Sequence, residues 1–165
     1  MIIMRIRHMT AEDAEAVSRL VIGSWVETYG PLIGTEKART FAEARYTPDR
    51  ILTDLRRAHS ETFVAETDGM VAGYAYGMVS KGILWLDRLH VARIHRGQGL
   101  GAALLHAVIV NYVGEPAISL EVIKANTRAV DFYTRQGFAV AEERDACGGI
   151  AGVPTLVMRK PMPRA

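Results

Sequence analysis

Gly97, Gly99 and Gly101 occupy every second position of HRGQGLGAAL, directly ahead of a run of good helix formers. A glycine-rich entry to a helix presents unpaired N–H groups at the positive end of the helix dipole, and bare backbone lets a bulky anion come close. The chemistry this spacing supports is capture of a phosphate or diphosphate, with Arg93 and Arg96 just upstream to add charge-assisted hydrogen bonds. The alternative is a tight helix-on-sheet contact with no ligand. Read literally, Gly97-Gln98-Gly99-Leu100-Gly101-Ala102 also satisfies the dinucleotide fingerprint, and Glu121 lies about 20 residues on, where a ribose-binding acid is expected. The context opposes that reading. Ala92–Arg96 separates the glycines from the preceding strand, a hairpin comes before them, and too little chain follows Glu121 for a doubly wound sheet.

The elements that must position this segment are legible around it. IIMRIRH alternates as a first strand, and Thr10 caps the helix start that follows. Ala14, Val17, Val21 and Trp25 are spaced as a helix, which Gly30 and Pro31 are expected to end. Short helices are expected near Thr35–Ala44 and from Pro48. Thr62–Glu66 and Met70–Val79 flank Asp68-Gly69 as a hairpin, and ILWLDRLHV is the next strand. LGAALLHAVIVNYV reads as a largely buried helix and AISLEVI as a strand. Asn126 begins a helix that Gly137 ends. FAVAEERD and PTLVMRKPM are closing strands, joined by a loose ACGGIAGV. This order implies a mixed α/β (α+β) chain: one domain over residues 1–165, with a mostly antiparallel sheet and a parallel crossover around the glycines.

Composition excludes several classes. With 49% hydrophobic and 23% charged residues, disorder is not expected. A net charge of +2 with no long basic run gives no reason to expect a nucleic-acid partner. The single cysteine, Cys147, allows neither an intrachain disulfide nor a zinc cluster of thiolates, and no metal is expected. No apolar run has the length of a signal peptide or a membrane span, so the expected location is the cytoplasm, with no membrane partner.

Two segments together carry a resemblance. LDRLHVARIHRGQGLGAALL and NTRAVDFYTRQGF contain Leu89-His90-Val91, then Arg96-x-x-Gly99-x-Gly101, then Asn126, Ala129, Phe132, Tyr133, Gly137 and Phe138. This resembles the GCN5-related N-acetyltransferase superfamily, and FVAETDGMVAGYAYG is similar to that family's central hairpin. The resemblance implies a twisted, mostly antiparallel sheet with helices on both faces and a splayed parallel strand pair. It also implies acetyl coenzyme A as donor, held by Leu89, His90, Val91, Arg96, Gly97, Gln98, Gly99, Leu100, Gly101, Ala102, Asn126, Ala129 and Phe132. The glutamate that histone-type members use as a base is Trp85 here, so that role does not carry over.

Among the residues that remain, Tyr133 is the candidate acid for the departing thiolate; the competing reading of its ring is plain packing. Asp87 shares a sheet face with Trp85, Leu89 and Val91 and is the candidate base; an ion pair or a water chain is the alternative. Glu27 is the second choice, and Trp25, Glu27 and Tyr29 are candidate acceptor-side residues, with burial on the core stripe of the first helix the competing reading of Trp25. The expected activity is acetylation of a primary amine, on a small molecule in the first instance, by direct attack in a ternary complex. A protein N-terminal or lysine acetyltransferase and a non-catalytic acyl-coenzyme A sensor are the alternatives. A homodimer is compatible with the sequence.

Overall fold

The computed structural model describes residues 3–147 and 150–164. Among these, the chain runs β1 (Met4–His8), α1 (Ala14–Ile33), α2 (Thr35–Arg45), α3 (Pro48–Leu55), β2 (Ser60–Thr67), β3 (Met70–Ser80), β4 (Ile83–Val91), α4 (Leu100–Asn111), β5 (Ala117–Ile123), α5 (Thr127–Arg135), β6 (Ala139–Cys147) and β7 (Ile150–Pro161). The strands form one seven-stranded mixed sheet in the order β1-β2-β3-β4-β5-β7-β6. Among the described residues, no helix is long and apolar enough to cross a membrane. The chain divides into two interleaved compact units, Met1–Gly77 with Arg88–Val108, and Met78–Asp87 with Ile109–Ala165.

In the first unit, β1 lies antiparallel to β2, from Met4 opposite Thr67 to His8 opposite Phe63. Asp68 and Gly69 both take positive φ (50° and 79°), the geometry of a two-residue hairpin turn whose twist matches its strands. Thr47 accepts a hydrogen bond from Arg50 N at 3.2 Å and so caps α3, with Pro48 in its first turn.

The expectation that Gly30 and Pro31 end the first helix is corrected: α1 runs on to Ile33 and stops at Gly34, whose φ is +94°. Proline removes only its own N–H and disfavours, rather than forbids, the helical turn before it. Packing decides the outcome. Trp25 stacks on Tyr29 (centroids 3.9 Å apart) and on Phe41 of α2 (4.9 Å), and Gly34 N closes the last turn on Gly30 O at 2.9 Å. Trp25 and Tyr29 are therefore buried, packed where α1 meets α2.

Close approach also explains Gly73, in the middle of β3. A Cβ there would stand 2.8 Å from Leu104 Cδ1 of α4, 3.2 Å from His90 O and 3.3 Å from Ala65 Cβ. The missing side chain lets α4 sit low on the strands, and this sets the height of the helix N-terminus that the glycine segment leads into.

In the second unit, β5 pairs antiparallel with β7 over its whole length, and β7 pairs with β6. The loose connection expected between the closing strands is corrected. Ala146 pairs with Ala151 and Cys147 with Ile150, so the ladder continues as far as Cys147 and Ile150, with register shifts between Val140 and Glu142 and between Arg144 and Ala146. The pairing comes from the opposite strand, which no local pattern in a glycine-rich stretch displays. Residues 148 and 149, part of that expected loop, lie outside the described residues.

Candidate active site

The parallel contact between β4 and β5 consists of Leu84 opposite Ile118 and Trp85 opposite Ser119. Beyond those two pairs the strands part. Residues paired in register share a face, and side chains alternate along each strand. Two positions past Trp85 and Ser119 stand Asp87 and Glu121, so two exposed carboxylates flank the point of divergence on one face. Glu121 accepts a hydrogen bond from Arg144 Nη1 at 2.6 Å, and the same guanidinium reaches Glu142 through Nε at 3.0 Å. The sequence had marked Glu121 only for a dinucleotide reading now set aside. The signal that finds it is the strand register.

Also in this unit, Asn126 caps α5, its side-chain oxygen accepting from Ala129 N at 3.3 Å. The cap leaves the amide N–H groups of Asn126 for another partner. Tyr133 is half-buried between two aromatic edges, Phe132 at 5.2 Å and Phe138 at 5.6 Å. Withdrawal from water pushes its phenol above the ordinary tyrosine value, so the hydroxyl carries its proton throughout the working pH range.

The first unit holds the glycine segment. Leu89, His90 and Val91 end β4 half-buried; a single 3-10 turn, Arg93–His95, follows; and Arg96 is extended. Gly97 and Gly99 have φ of +78° and +82°, which L side chains adopt only under strain, and a Cβ on either would meet nothing within 4 Å. Their faces are open. The first intrahelical bond of α4 runs from Ala103 N to Gly99 O at 3.1 Å, so the N–H groups of Leu100, Gly101 and Ala102 have no acceptor within the helix. Open left-handed glycines beside three such donors fit a diphosphate, and the donor set needs no metal to do so. Gln98 is exposed between the two glycines.

Side chains around this segment are committed in ways the sequence did not foretell. His90 Nδ1 lies 2.8 Å from Ser24 Oγ of α1, which ties the ring to that helix. Burial, Arg88 and Arg96 together lower its pKa to about 4, which keeps the imidazole neutral near pH 7. Arg96 gives Nη1 and Nη2 to the two carboxylate oxygens of Glu27 at 2.5 and 3.0 Å, and Nε to Val91 O at 3.2 Å. Both oxygens of Glu27, the second-choice base, are thus engaged by a guanidinium, and Arg96 faces protein rather than the open side of the glycines.

A splayed parallel pair followed by an open glycine entry is the geometry that comparison with other proteins explains. The model of the Acetyltransferase (GNAT) family matches residues 25–138. The chain belongs to that family. A peptidyl-lysine N-acetyltransferase, YiaC of Escherichia coli, is 28% identical over 144 residues, 86% of this chain and 89% of that protein. Mycothiol acetyltransferase of Propionibacterium freudenreichii is 31% identical over 134 residues, 80% of this chain but 34% of that protein. N-alpha-acetyltransferase 40 of Saccharomyces cerevisiae is 32% identical over 90 residues, 49% of this chain. This chain spans about a third of the yeast and Propionibacterium relatives. Among solved structures, the PaiA N-acetyltransferase of Thermoplasma acidophilum, in complex with coenzyme A, superposes with a TM-score of 0.82 at 22% identity, covering 96% of this chain and 99% of that one. The ribosomal-protein-S18-alanine N-acetyltransferase of E. coli superposes with a TM-score of 0.73 at 20% identity, covering 99% and 96%. These two likenesses show the fold. Together the relatives act on both proteins and small molecules, and the acceptor of this chain is not among the properties they share.

Proposed function

We propose that this acetyltransferase moves an acetyl group from acetyl coenzyme A to the primary amine of a small molecule, by direct attack in a ternary complex. The observation that carries the donor assignment is the pair of open, left-handed glycines, Gly97 and Gly99, beside the acceptor-free N–H groups of Leu100, Gly101 and Ala102. Bound there, the donor supplies an acyl group activated as a thioester. The backbone N–H groups of the glycine segment hold the diphosphate. Strand β4 beyond its last pair with β5 offers main-chain groups of Leu89–Val91 to the pantetheine amides, and the Leu89 N–H polarises the thioester carbonyl. By resemblance to the family's motif, Asn126, Ala129 and Phe132 are assigned to the donor's thiol arm.

In the transfer, the amine nitrogen forms a bond to the acyl carbon as the carbon–sulfur bond breaks. The amine must shed a proton and the sulfur must gain one. Asp87 and Glu121, at the divergence of the strands, accept the first; the Tyr133 hydroxyl, held in its protonated form, donates toward the second. A phenol with a raised pKa is a weak acid. Its contribution is therefore a hydrogen bond to developing negative charge, with transfer completed as the sulfur leaves.

A second reading, acetylation of a protein lysine or N-terminus, is favoured by the likeness to the peptidyl-lysine enzyme YiaC over most of both chains. Incubation with acetyl coenzyme A and a mixed library of small amines and peptides, read by mass spectrometry, separates the two. Small amines gaining one acetyl group support the first reading. Acetylation confined to peptides establishes the second, and coenzyme A binding without any transfer leaves a sensor.

A further inference from the structure

The side chain expected to grip the donor's diphosphate points elsewhere. Arg96 is the first residue of the motif, yet all three of its hydrogen-bonding nitrogens are used inside the protein: two on Glu27 of α1, one on the carbonyl of Val91 at the end of β4. The fork-to-carboxylate arrangement is bidentate, and the two side chains are only 22% and 34% exposed, so water screens the pair less than an ordinary surface ion pair. Three residues before Glu27, on the same side of α1 by helical spacing, Ser24 meets His90 at 2.8 Å. Helix α1 is therefore fastened at two points, to His90 at the end of strand β4 and to Arg96, the residue from which the glycine segment departs.

We propose that Arg96 is a positioning residue: through Glu27 and Val91 it sets the backbone of Gly97–Gly99 against the strand end, and the diphosphate is held by main-chain N–H groups rather than by this guanidinium. The inference rests on the coenzyme A reading given above. Arg96 acts only while its fork stays on Glu27, so the carboxylate of α1, far away in sequence, belongs to the donor site as much as the motif residue does. Lysine at position 96 cannot serve, because a point charge does not span Glu27 and Val91 O at once.

The test is calorimetric titration of the parent, Glu27→Gln, Glu27→Ala, Arg96→Ala and the double alanine variant with coenzyme A, each first shown to melt cooperatively. Positioning predicts that Glu27→Ala and Arg96→Ala weaken binding by similar factors, of order 10-fold, with the double variant no weaker than either single one. Glu27→Gln, which keeps one acceptor oxygen, falls between. The slope of affinity against salt stays that of the parent in every variant, because no contact with the ligand's charge is lost. In turnover, the KM for acetyl coenzyme A rises while kcat at saturation is retained. Tighter binding in Glu27→Ala, or a flatter salt slope in Arg96→Ala, overturns the proposal and puts the guanidinium on the phosphates. If Arg96→Ala melts without cooperativity, the Glu27→Gln and Glu27→Ala titrations decide alone. A parent chain that does not bind coenzyme A overturns the donor reading itself, an outcome distinct from any result among the variants.

Discussion

Arg88 donates from Nη1 to Asp54 Oδ2 at 2.8 Å, with both side chains almost wholly withdrawn from water. The guanidinium also stands 5.1 Å from the ring centroids of both Tyr46 and Tyr76. Asp54 belongs to α3 and Arg88 to β4, so one ion pair joins the short helix to the strand whose far end carries Leu89–Val91. Asp54 also pairs with Arg50 Nε at 3.4 Å, but the Arg88 contact is the buried one, and breaking a buried pair typically costs about 3–5 kcal/mol. Asp54→Ala is therefore expected to lower the free energy of unfolding by that amount in urea denaturation. Replacing both partners with apolar residues, Asp54→Leu with Arg88→Met, should recover most of the loss. A single variant as stable as the parent would show that the pair contributes nothing.

Gly99→Asp tests the anion cradle. The open space over the glycine means the protein still folds, at a cost of roughly 1–2 kcal/mol for the left-handed backbone. The new carboxylate faces the ligand's diphosphate, and coenzyme A binding should vanish from a calorimetric titration. Unchanged affinity would place the donor elsewhere.

Tyr133→Phe keeps the ring and its edge contacts with Phe132 and Phe138 while removing the donor. Coenzyme A affinity should persist while kcat drops by something like 10²–10⁴-fold, the usual range for a lost general acid. Because the folded phenol titrates above its ordinary value of about 10, the parent's advantage over this variant should be flat with pH up to about 10. Equal rates in parent and variant would reduce the ring to packing.

The two carboxylates at the divergence are proposed for one role, so the informative variant is double. Asp87→Asn with Glu121→Gln should depress kcat/KM at least 10²-fold at low pH, where the acceptor is protonated, and progressively less as pH approaches the amine's own pKa. A pH–rate profile like that of the parent would assign deprotonation to water alone.

His90 gives a pH dependence of stability with a definite sign. Its folded pKa of about 4 lies below the ordinary 6.5, so between those values the unfolded chain binds the proton more readily. Stability from this group is present above about pH 6.5 and is lost as pH falls toward 4. Allowing for partial exposure, the loss amounts to about 1–2 kcal/mol. Urea midpoints of the parent and His90→Gln, measured at pH 7 and pH 4.5, should show the smaller decline in the variant. Parallel declines would mean the imidazole charges freely in place.

Local chemistry was readable without coordinates. The Asp68-Gly69 turn, the helix start at Pro48, the Asn126 cap and the positive φ at Gly137 all follow from residue type and nearest neighbours, and each occurs as expected. The glycine segment and the Asn126–Phe138 stretch pointed to the family because their functional groups lie within a few residues of one another. Where a neighbour is distant along the chain, the sequence was silent. The helix runs through Pro31 because the stack of Trp25, Tyr29 and Phe41 outweighs a local penalty. Glu121 joins Asp87 only through the register of two parallel strands, which residue types leave unstated. Arg96 meets Glu27 across 69 positions, and His90 meets Ser24 across 66. Sequence alone determined the elements, the turns and the motif, since those depend on forces acting over a few residues. Tertiary structure decided which charges are shared and which backbone is left open, because an ion pair or a strand register is settled only when distant segments compete for the same partner in space.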